Sequence, residues 1–452
     1  MPPPDLDALA RRLSTALGPA QVLTGAATAG FAVEGVAPRL VVQPRSQEEV
    51  QAAISACGAA GATVACRGGG AAMGLGDPPA RLDVVLRLDG LTRIVEFDDA
   101  NLNVTAEAGV RLGDLQALLR ASREFLPLDP PRADRVTVGG LVAANASGPS
   151  RLLYGPARDW LLGLRVVLPT GDRIRCGGRV IKNVSGYDMN KLFVGSLGTL
   201  GVVTEATFKL LPIPAHEATV VATFAEVAQL AGVVTRTLES HLLPVALEAL
   251  DGQAVREVAP RLRLDAPSGF ALAAFVAGSA ETVARQVRDL ARFAAEAGAA
   301  ATSTLDAAQG EAAWRAIRDV HAGLDGAAGA LVVAKIAVPI ARTLDLFSAA
   351  EAMARRNGWR GAVTAHAGSG VVRAALVVDP GELGGIRDGV ESLRKQAEAV
   401  EGSLVLEAAP AVVKRALGAW GRTGDAFQVM RRVKAELDPG GVMSPGRFLG
   451  GI

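Results

Sequence analysis

Of 452 residues only Cys57, Cys66 and Cys176 are cysteine, and no two of them form a CxxC unit. That spacing builds neither an iron–sulfur cluster nor structural zinc, and it gives no reason to expect a disulfide framework. Charge of one sign is missing as well. Lys and Arg number 47 against 46 Asp and Glu, a formal net charge of +1, so no electrostatic pull toward nucleic acid or an anionic membrane is expected. No apolar run approaches the roughly 18 residues of a membrane span before Gly, Pro or a charge breaks it. The opening MPPPDLDALARRL lacks the basic region and apolar core of a secretory signal, so the cytoplasm is the expected compartment. No internal repeat and no low-complexity linker are visible.

What the chain has is core material, with 50% hydrophobic and 21% charged residues, enough for two or three structural units. Residues 46–60 read as a helix, because Ser46 and Glu49 have capping-box spacing and Val50, Ile54 and Cys57 share a face. Strands are expected at 63–67 and 83–88, then a helix at 111–123, a strand at 164–168 and a PTGD turn at 169–172. Beyond residue 215 the texture changes. Strands at 218–224, 245–250, 270–276, 331–338, 362–366 and 371–378 alternate with amphipathic stretches at 281–297, 343–356 and 383–400, suggesting an α+β sheet with helices on one face. The tail, 433–448, reads as a helix stopped by Pro439 and Gly440 and followed by an extended arm.

Three glycine-rich segments stand out. CRGGGAAMGLGDPP, residues 66–79, follows a strand, and its main-chain N–H groups can form a nest for a pyrophosphate. A surface turn would use the same glycines. In VTVGGLVAANASGPSRLLYGPARDW, residues 136–160, small side chains leave a backbone that can lie against a planar ligand. A packed Ala/Gly strand pair would look similar. In KNVSGYDMNKLFVGSLGTLGVVTEATFKLLP, residues 182–212, three glycines recur at three-residue steps. The segment is neither a P-loop nor a G-x-G-x-x-G fingerprint.

In order and together, these segments resemble the FAD-binding module of the vanillyl-alcohol-oxidase superfamily, type-4 FAD-linked oxidase branch, over about residues 38–214. The SPGRF tail, 444–448, is similar to that branch's closing segment. The resemblance implies an α+β fold. It comprises a PCMH-type FAD-binding domain of two αβ subdomains (1–214), a ferredoxin-like α+β cap (215–421) and a C-terminal segment (422–452) that returns to the flavin. It implies that Arg67, Gly68, Gly69, Gly70, Ala71 and Ala72 wrap the pyrophosphate of FAD. Thr137, Gly139, Gly140, Asn145, Gly148 and Tyr154 would cover the ribityl chain and ring. Gly198, Gly201 and Val203 would lie at the adenine side, and Arg447 would return toward the flavin. Many relatives attach FAD through a histidine in the first segment or a cysteine in the second. Neither stands there, so non-covalent FAD is expected.

Hydroxy-acid dehydrogenases of this branch carry an HxGDGNxH-like segment and a later Glu-His pair that bind a divalent metal. The matching stretch here is HAGSGVVR, which keeps His366 but puts Ser369, Val371 and Arg373 at the other ligand positions, and the later pair reads Glu407-Ala408. No metal site is expected. WRAIRD resembles a segment whose arginine holds the substrate carboxylate, which points to Arg318, while Arg373 would supply charge in place of the metal. His366 is the candidate base. KNVSGYDMNKLF, GSLGTLG, AHAGSG and LEAAP most resemble the smaller flavin-binding subunits of bacterial glycolate oxidases. Implied partners are a larger FAD subunit and an iron–sulfur subunit, with a 2-hydroxy acid as substrate. A flavin relay or scaffold without turnover, and a stand-alone oxidase of a sugar, lactone or alcohol, are the alternatives.

Overall fold

The computed structural model describes residues 3–179, 187–264, 269–324, 329–379, 381 and 383–452. Residues 182–186 of the third glycine-rich segment lie outside the described residues.

Continuous apolar runs make the first sheet. β1 (Val22–Thr24), β2 (Leu40–Val42), β3 (Val64–Arg67) and β4 (Val84–Arg87) pair in the order β1-β2-β4-β3, with β2, β4 and β3 parallel. Runs such as LVV and VVLR without polar alternation are what strands covered on both faces require. Leu9 and Leu13 of α1 (Leu6–Leu17) and Val50 and Ile54 of α2 (Gln47–Ala60) share one core with Val42, Val64 and Val84. At the start of α2, Ser46 Oγ accepts from Glu49 N at 3.2 Å. Glu49 does not return the bond to Ser46. Its carboxylate accepts from Arg45 N and from Gln21 Nε2, both at 2.6 Å.

β5 (Ile94–Asp98), β6 (Asn103–Glu107), β7 (Glu124–Phe125), β8 (Leu161–Val167), β9 (Arg173–Gly177), β10 (Val202–Lys209) and β11 (Leu211–Pro212) follow. Five of them form an antiparallel sheet in the order β5-β6-β10-β8-β9, and β7 pairs with β11 as a separate ribbon. α3 (Leu112–Ala121) and α4 (Val138–Ala144) pack on the five-stranded sheet through Leu115, Leu119, Leu141 and Val142. The Ala/Gly-rich second segment therefore holds a helix. Thr137 Oγ1 accepts from Gly140 N at 3.3 Å and caps it, and Asn145 ends it in a left-handed conformation, φ 46°.

The remaining strands, β12 (His216–Phe224), β13 (Ala246–Leu250), β14 (Phe270–Gly278), β15 (Ala301–Leu305), β16 (Ala330–Ala337), β17 (Arg360–His366), β18 (Val371–Val378) and β19 (Ser403–Ala408), make one eight-stranded sheet, β15-β12-β14-β13-β17-β18-β16-β19. Read outward from the central β13–β17 pair, the order β13-β14-β12-β15 repeats as β17-β18-β16-β19, each strand number raised by four. The sheet is thus two ferredoxin-like halves joined edge to edge, an internal repeat carried by topology that the residues themselves did not reveal. The halves differ where the first inserts the helix Gly252–Leu262 between its second and third strands; the second has only a tight turn there.

The expectation of helices on one face needs correcting. One face buries Val220, Ala274, Val363 and Val372 under the helices Val227–Leu238, Ala280–Glu296 and Thr343–Arg356. The other buries Val221, Ala273 and Ala375 under Gly252–Leu262 and Ala307–Asp319. Strands such as VVRAALVV are apolar at both parities, so both faces had to be covered.

The tail leaves the helix Phe427–Leu437 and runs back to the first sheet. Lys434 Nζ donates to Thr199 O at 2.7 Å, Asp438 Oδ2 at 2.7 Å and Met443 O at 2.8 Å. Met443 then lies parallel to Val64.

Candidate active site

Between the first two sheets runs a cleft walled by main chain and small side chains. Gly68, Gly69, Gly70, Ala71, Ala72, Thr137, Gly139, Gly140, Gly198, Gly201, Val203 and Arg447 all line it, with Ala108, Ala143 and Ala144 between them. Its described lining includes no carboxylate, whereas Arg135 and Arg447 stand on it. Two glycines are needed for distinct reasons. A Cβ on Gly69 would run into the Arg135 carbonyl, and Gly70 takes φ 78°, which a side chain disfavours. Arg447 holds the first loop from below by donating from Nη2 to the carbonyls of Met73, at 2.9 Å, and Leu75. Its Nη1 and the Oδ1 of Asn145 are buried without a hydrogen-bond partner. Unpaired buried groups are costly, so Arg447 Nη1 on the cleft and Asn145 Oδ1 on the cavity beside it fit a polar ligand.

Four expected cofactor contacts take other places. The Arg67 guanidinium lies 5.2 Å from the Phe31 ring and lines a neighbouring cavity with Gly68 and Gly69. Gly148 is required by Asp129, whose carbonyl a Cβ would strike. Tyr154 packs edge-on to Phe125 and Trp160, at 5.9 and 6.3 Å. Asn145 lines the second cavity, into which the cleft opens.

That second cavity, about 540 Å³, shares Gly70, Ala71, Ala72, Val136, Ala144, Ala146 and Leu197 with the cleft. Its far wall is charged, with His321, Lys335, Arg373 and Glu407. Lys335, Arg373 and Glu407 come from one row across the eight-stranded sheet, and His321 reaches it from beyond the helix Ala307–Asp319. Glu248 on β13 pairs with His366 on β17; Thr364, two residues before His366, pairs with Arg373 on β18; Arg373 pairs with Lys335 on β16. Paired positions point to the same face, so the register assembles the row. Arg373 Nε donates to Glu407 Oε2 at 3.2 Å, and Lys335 Nζ lies 3.7 Å from Glu407 Oε1. Burial alone would raise the Glu407 carboxyl, but Arg373 and Lys335 overcome it and hold it at about 2.

His366 is not free to act as a base. Arg373 Nη1 donates to its Nε2 at 2.6 Å. A guanidinium only donates, so the ring proton sits on Nδ1 and is given to Glu248. Burial, and then Arg373, keeps the imidazole well below its usual range, while burial raises Glu248. Both ring nitrogens are engaged. The same contact answers the question of a metal: a guanidinium occupies the lone pair a metal would need, and the described residues contain no cluster of three or more His, Cys, Asp or Glu suited to an ion. The residues do not fit a divalent metal.

Arg318 is placed apart from His366 and Arg373. It lines a third cavity with Trp314, Asp319 and Asp129. Its Nε is buried without a hydrogen-bond partner, and it faces Asp129, whose carboxyl burial pushes up to about 6. Sequence reasoning missed Lys335 and Glu248. Their signal was a single charge inside an otherwise apolar strand, LVVAKIAV and VALEAL.

A glycine-walled cleft that opens onto a charged cavity over the eight-stranded sheet suits a nucleotide cofactor held beside a small charged substrate. Residues 38–177 match the family described as "FAD binding domain", and residues 213–448 match "FAD linked oxidases, C-terminal domain". The chain belongs to the FAD-linked oxidases, and its cofactor is FAD. It is 27% identical to glycolate oxidase subunit GlcD of Bacillus subtilis, over 91% of this chain and 89% of that protein. It is 26% identical to the mitochondrial D-lactate dehydrogenase [cytochrome] of Arabidopsis thaliana, over 91% and 73%. Subunit GlcE of Escherichia coli is 43% identical, but over only 27% of this chain and 35% of its own length. Likeness to the smaller subunit is therefore local. The structure of p-cresol methylhydroxylase with substrate bound superposes with a TM-score of 0.77 at 16% identity, over 98% and 96% of the two chains, which establishes the PCMH-type fold. No helix among the described residues is long and apolar enough to cross a membrane.

Proposed function

We propose that this chain oxidises a small 2-hydroxy acid of the glycolate or D-lactate class, with its FAD held non-covalently. The observation that carries this reading is the row of Arg373, Lys335 and Glu407 on the wall of a cavity that opens into the glycine-lined cleft. Two cations sharing one carboxylate leave positive charge available for a substrate carboxylate, and Arg373, whose Nε and Nη1 are taken by Glu407 and His366, can meet it through Nη2. Arg373 stands in for the metal that the resemblance would otherwise require. His366 and Glu248 set its orientation from behind. FAD supplies the hydride acceptor, and Gly68 to Ala72, Gly139, Gly140, Gly198, Gly201, Val203 and Arg447 would hold it. Non-covalent attachment is supported by the cleft lining, which has no histidine and whose one thiol, Cys66, is pushed up to about 12 by burial.

The names of the full-length relatives, a glycolate oxidase subunit and a D-lactate dehydrogenase, support the substrate class. The chain would work as the flavin-binding component of a larger assembly, electrons passing to an iron–sulfur partner. A relay or scaffold role is the second reading, motivated by the engagement of His366 with Arg373. Anaerobic titration of the purified flavoprotein with glycolate, D-lactate and L-lactate tests the first: bleaching of the flavin band by at least one is expected, and bleaching by none would favour the relay. Iron and flavin counts on the assembly purified from native cells test the partner.

A further inference from the structure

We infer that, among 2-hydroxy acids, this chain prefers those with an apolar side chain several carbons long, and that Val405, Trp420 and Phe448 select it. The inference rests on the 2-hydroxy acid reading and narrows the substrate within it.

The charged row fills only part of the cavity it lines. β16 supplies Leu331, Val333, Lys335 and Ala337 to the wall, every second residue, so the cavity follows that strand over about 20 Å at roughly 3.3 Å per residue. Its volume of about 540 Å³ falls in the range of roughly 300–1,000 Å³ that takes ligands far larger than lactate. Across the strands the wall changes character. Lys335 pairs with Arg373 on one side and with Val405 on the other, so these three form a line on one face. Two strand spacings, about 10 Å, separate its ends.

Beyond β19 the chain itself extends the apolar end. Leu406 N donates to Ala419 O at 2.8 Å, which brings Trp420 alongside the edge strand. The Trp420 ring lies 5.0 Å from the Phe448 ring, and both line the cavity. Trp420 Nε1 donates to Arg447 O at 2.9 Å, so the one polar atom of the indole is satisfied and its carbons remain for contact. Val405, Trp420 and Phe448 are each half-buried, and none of them lines the cleft that takes the FAD. The polar side chains at this end are few. Glu407 is held by its two cations, and Ser403 is exposed at the start of β19.

An acid whose carboxylate meets Arg373 and Lys335 therefore has hydrocarbon ahead of it along the line. The single methyl of lactate does not cross that distance, whereas a chain of several carbons does. Each methylene that leaves water against such a wall tightens binding by about threefold, and a polar group placed there would lose its water without gaining a partner.

The test begins with reduction of the wild-type flavoprotein by glycolate and by both enantiomers of lactate and 2-hydroxyhexanoate. If none reduces the flavin, the 2-hydroxy acid reading fails and this inference with it. If some do, kcat/KM should rise at least tenfold from lactate to 2-hydroxyhexanoate, which adds three methylenes. Equal efficiency for the short and long acids would overturn the inference and leave the reading standing. Binding without turnover is measured by calorimetric titration of the oxidised flavoprotein with pyruvate and 2-oxohexanoate, and the dissociation constant should fall at least tenfold between them. Trp420→Ala should shrink that ratio to below threefold. Because this variant also loses the bond to Arg447, Val405→Trp serves as a second one. It fills the apolar end and should narrow the ratio in the same way. A ratio unchanged in both variants would overturn the inference. So would flavin lost from Trp420→Ala with the ratio intact, which would assign the aromatic pair to the cofactor.

Discussion

The cleft and the cavity are built on opposite plans. The cleft is made of main chain: its described wall is mostly Gly and Ala, and its selectivity comes from amides, from positive φ at Gly70 and from the absence of carboxylates. The cavity is made of side chains, a row of ionised groups on a sheet otherwise filled with Val, Ala and Leu. A main-chain site cannot be retuned by a point change without steric damage, so it suits an invariant ligand such as a cofactor diphosphate. A side-chain site can change its chemistry with one substitution. The difference teaches where this fold can vary.

If the two regions are energetically separate, variants should divide cleanly between them. The largest effect is expected from Arg373→Met. It leaves Glu407 without its closest cation and Nε2 of His366 without a donor, which costs on the order of 3 kcal/mol for a broken buried pair. Urea unfolding should show the loss, while flavin content per folded chain holds. Flavin lost in parallel would mean that the regions are one unit. Next comes Gly69→Val, where the side chain meets the Arg135 carbonyl. Overpacking of about 1–3 kcal/mol should reduce flavin content by about tenfold, read from the ratio of flavin to protein absorbance, with the charged row intact.

A smaller effect separates the regions by pH. The Glu407 carboxyl lies at about 2 in the fold against 4.5 ordinarily. A depressed carboxylate contributes stability above its unfolded value, and that contribution is lost as pH falls from 4.5 toward 2. Stability curves of wild type and Glu407→Gln should therefore converge over that window, by about 1 kcal/mol for a partly exposed pair. Gly69→Val should leave the slope unchanged. The smallest effect is expected from Arg318→Leu, whose cavity is the one shared with Asp129 and Trp314. Flavin reduction should change by less than threefold, and a hundredfold loss would show that this cavity and the charged one act together.

Much of the fold was legible. Thr343–Arg356 and Val371–Val378 form the expected helix and strand, and α2 begins at its expected cap. Where the reading failed, tertiary context had overridden local pattern. The Ala/Gly stretch became α4 because Thr137 caps it and Leu141 and Val142 find a core. The helices over the second face of the large sheet went unread because strands apolar at both parities do not say which face a helix takes. Arg67, expected beside the pyrophosphate with the glycines after it, lines the neighbouring cavity because the Phe31 ring lies against its guanidinium.

The residues by themselves determined the cleft, because its requirements are local: a conformation only glycine adopts readily, a position with no room for Cβ, a strand leading into a loop. Glu248, Lys335, His366, Arg373 and Glu407 lie on five strands scattered over the second half of the chain. Only the register of the folded sheet, with side chains on one face every second residue, decides that they meet.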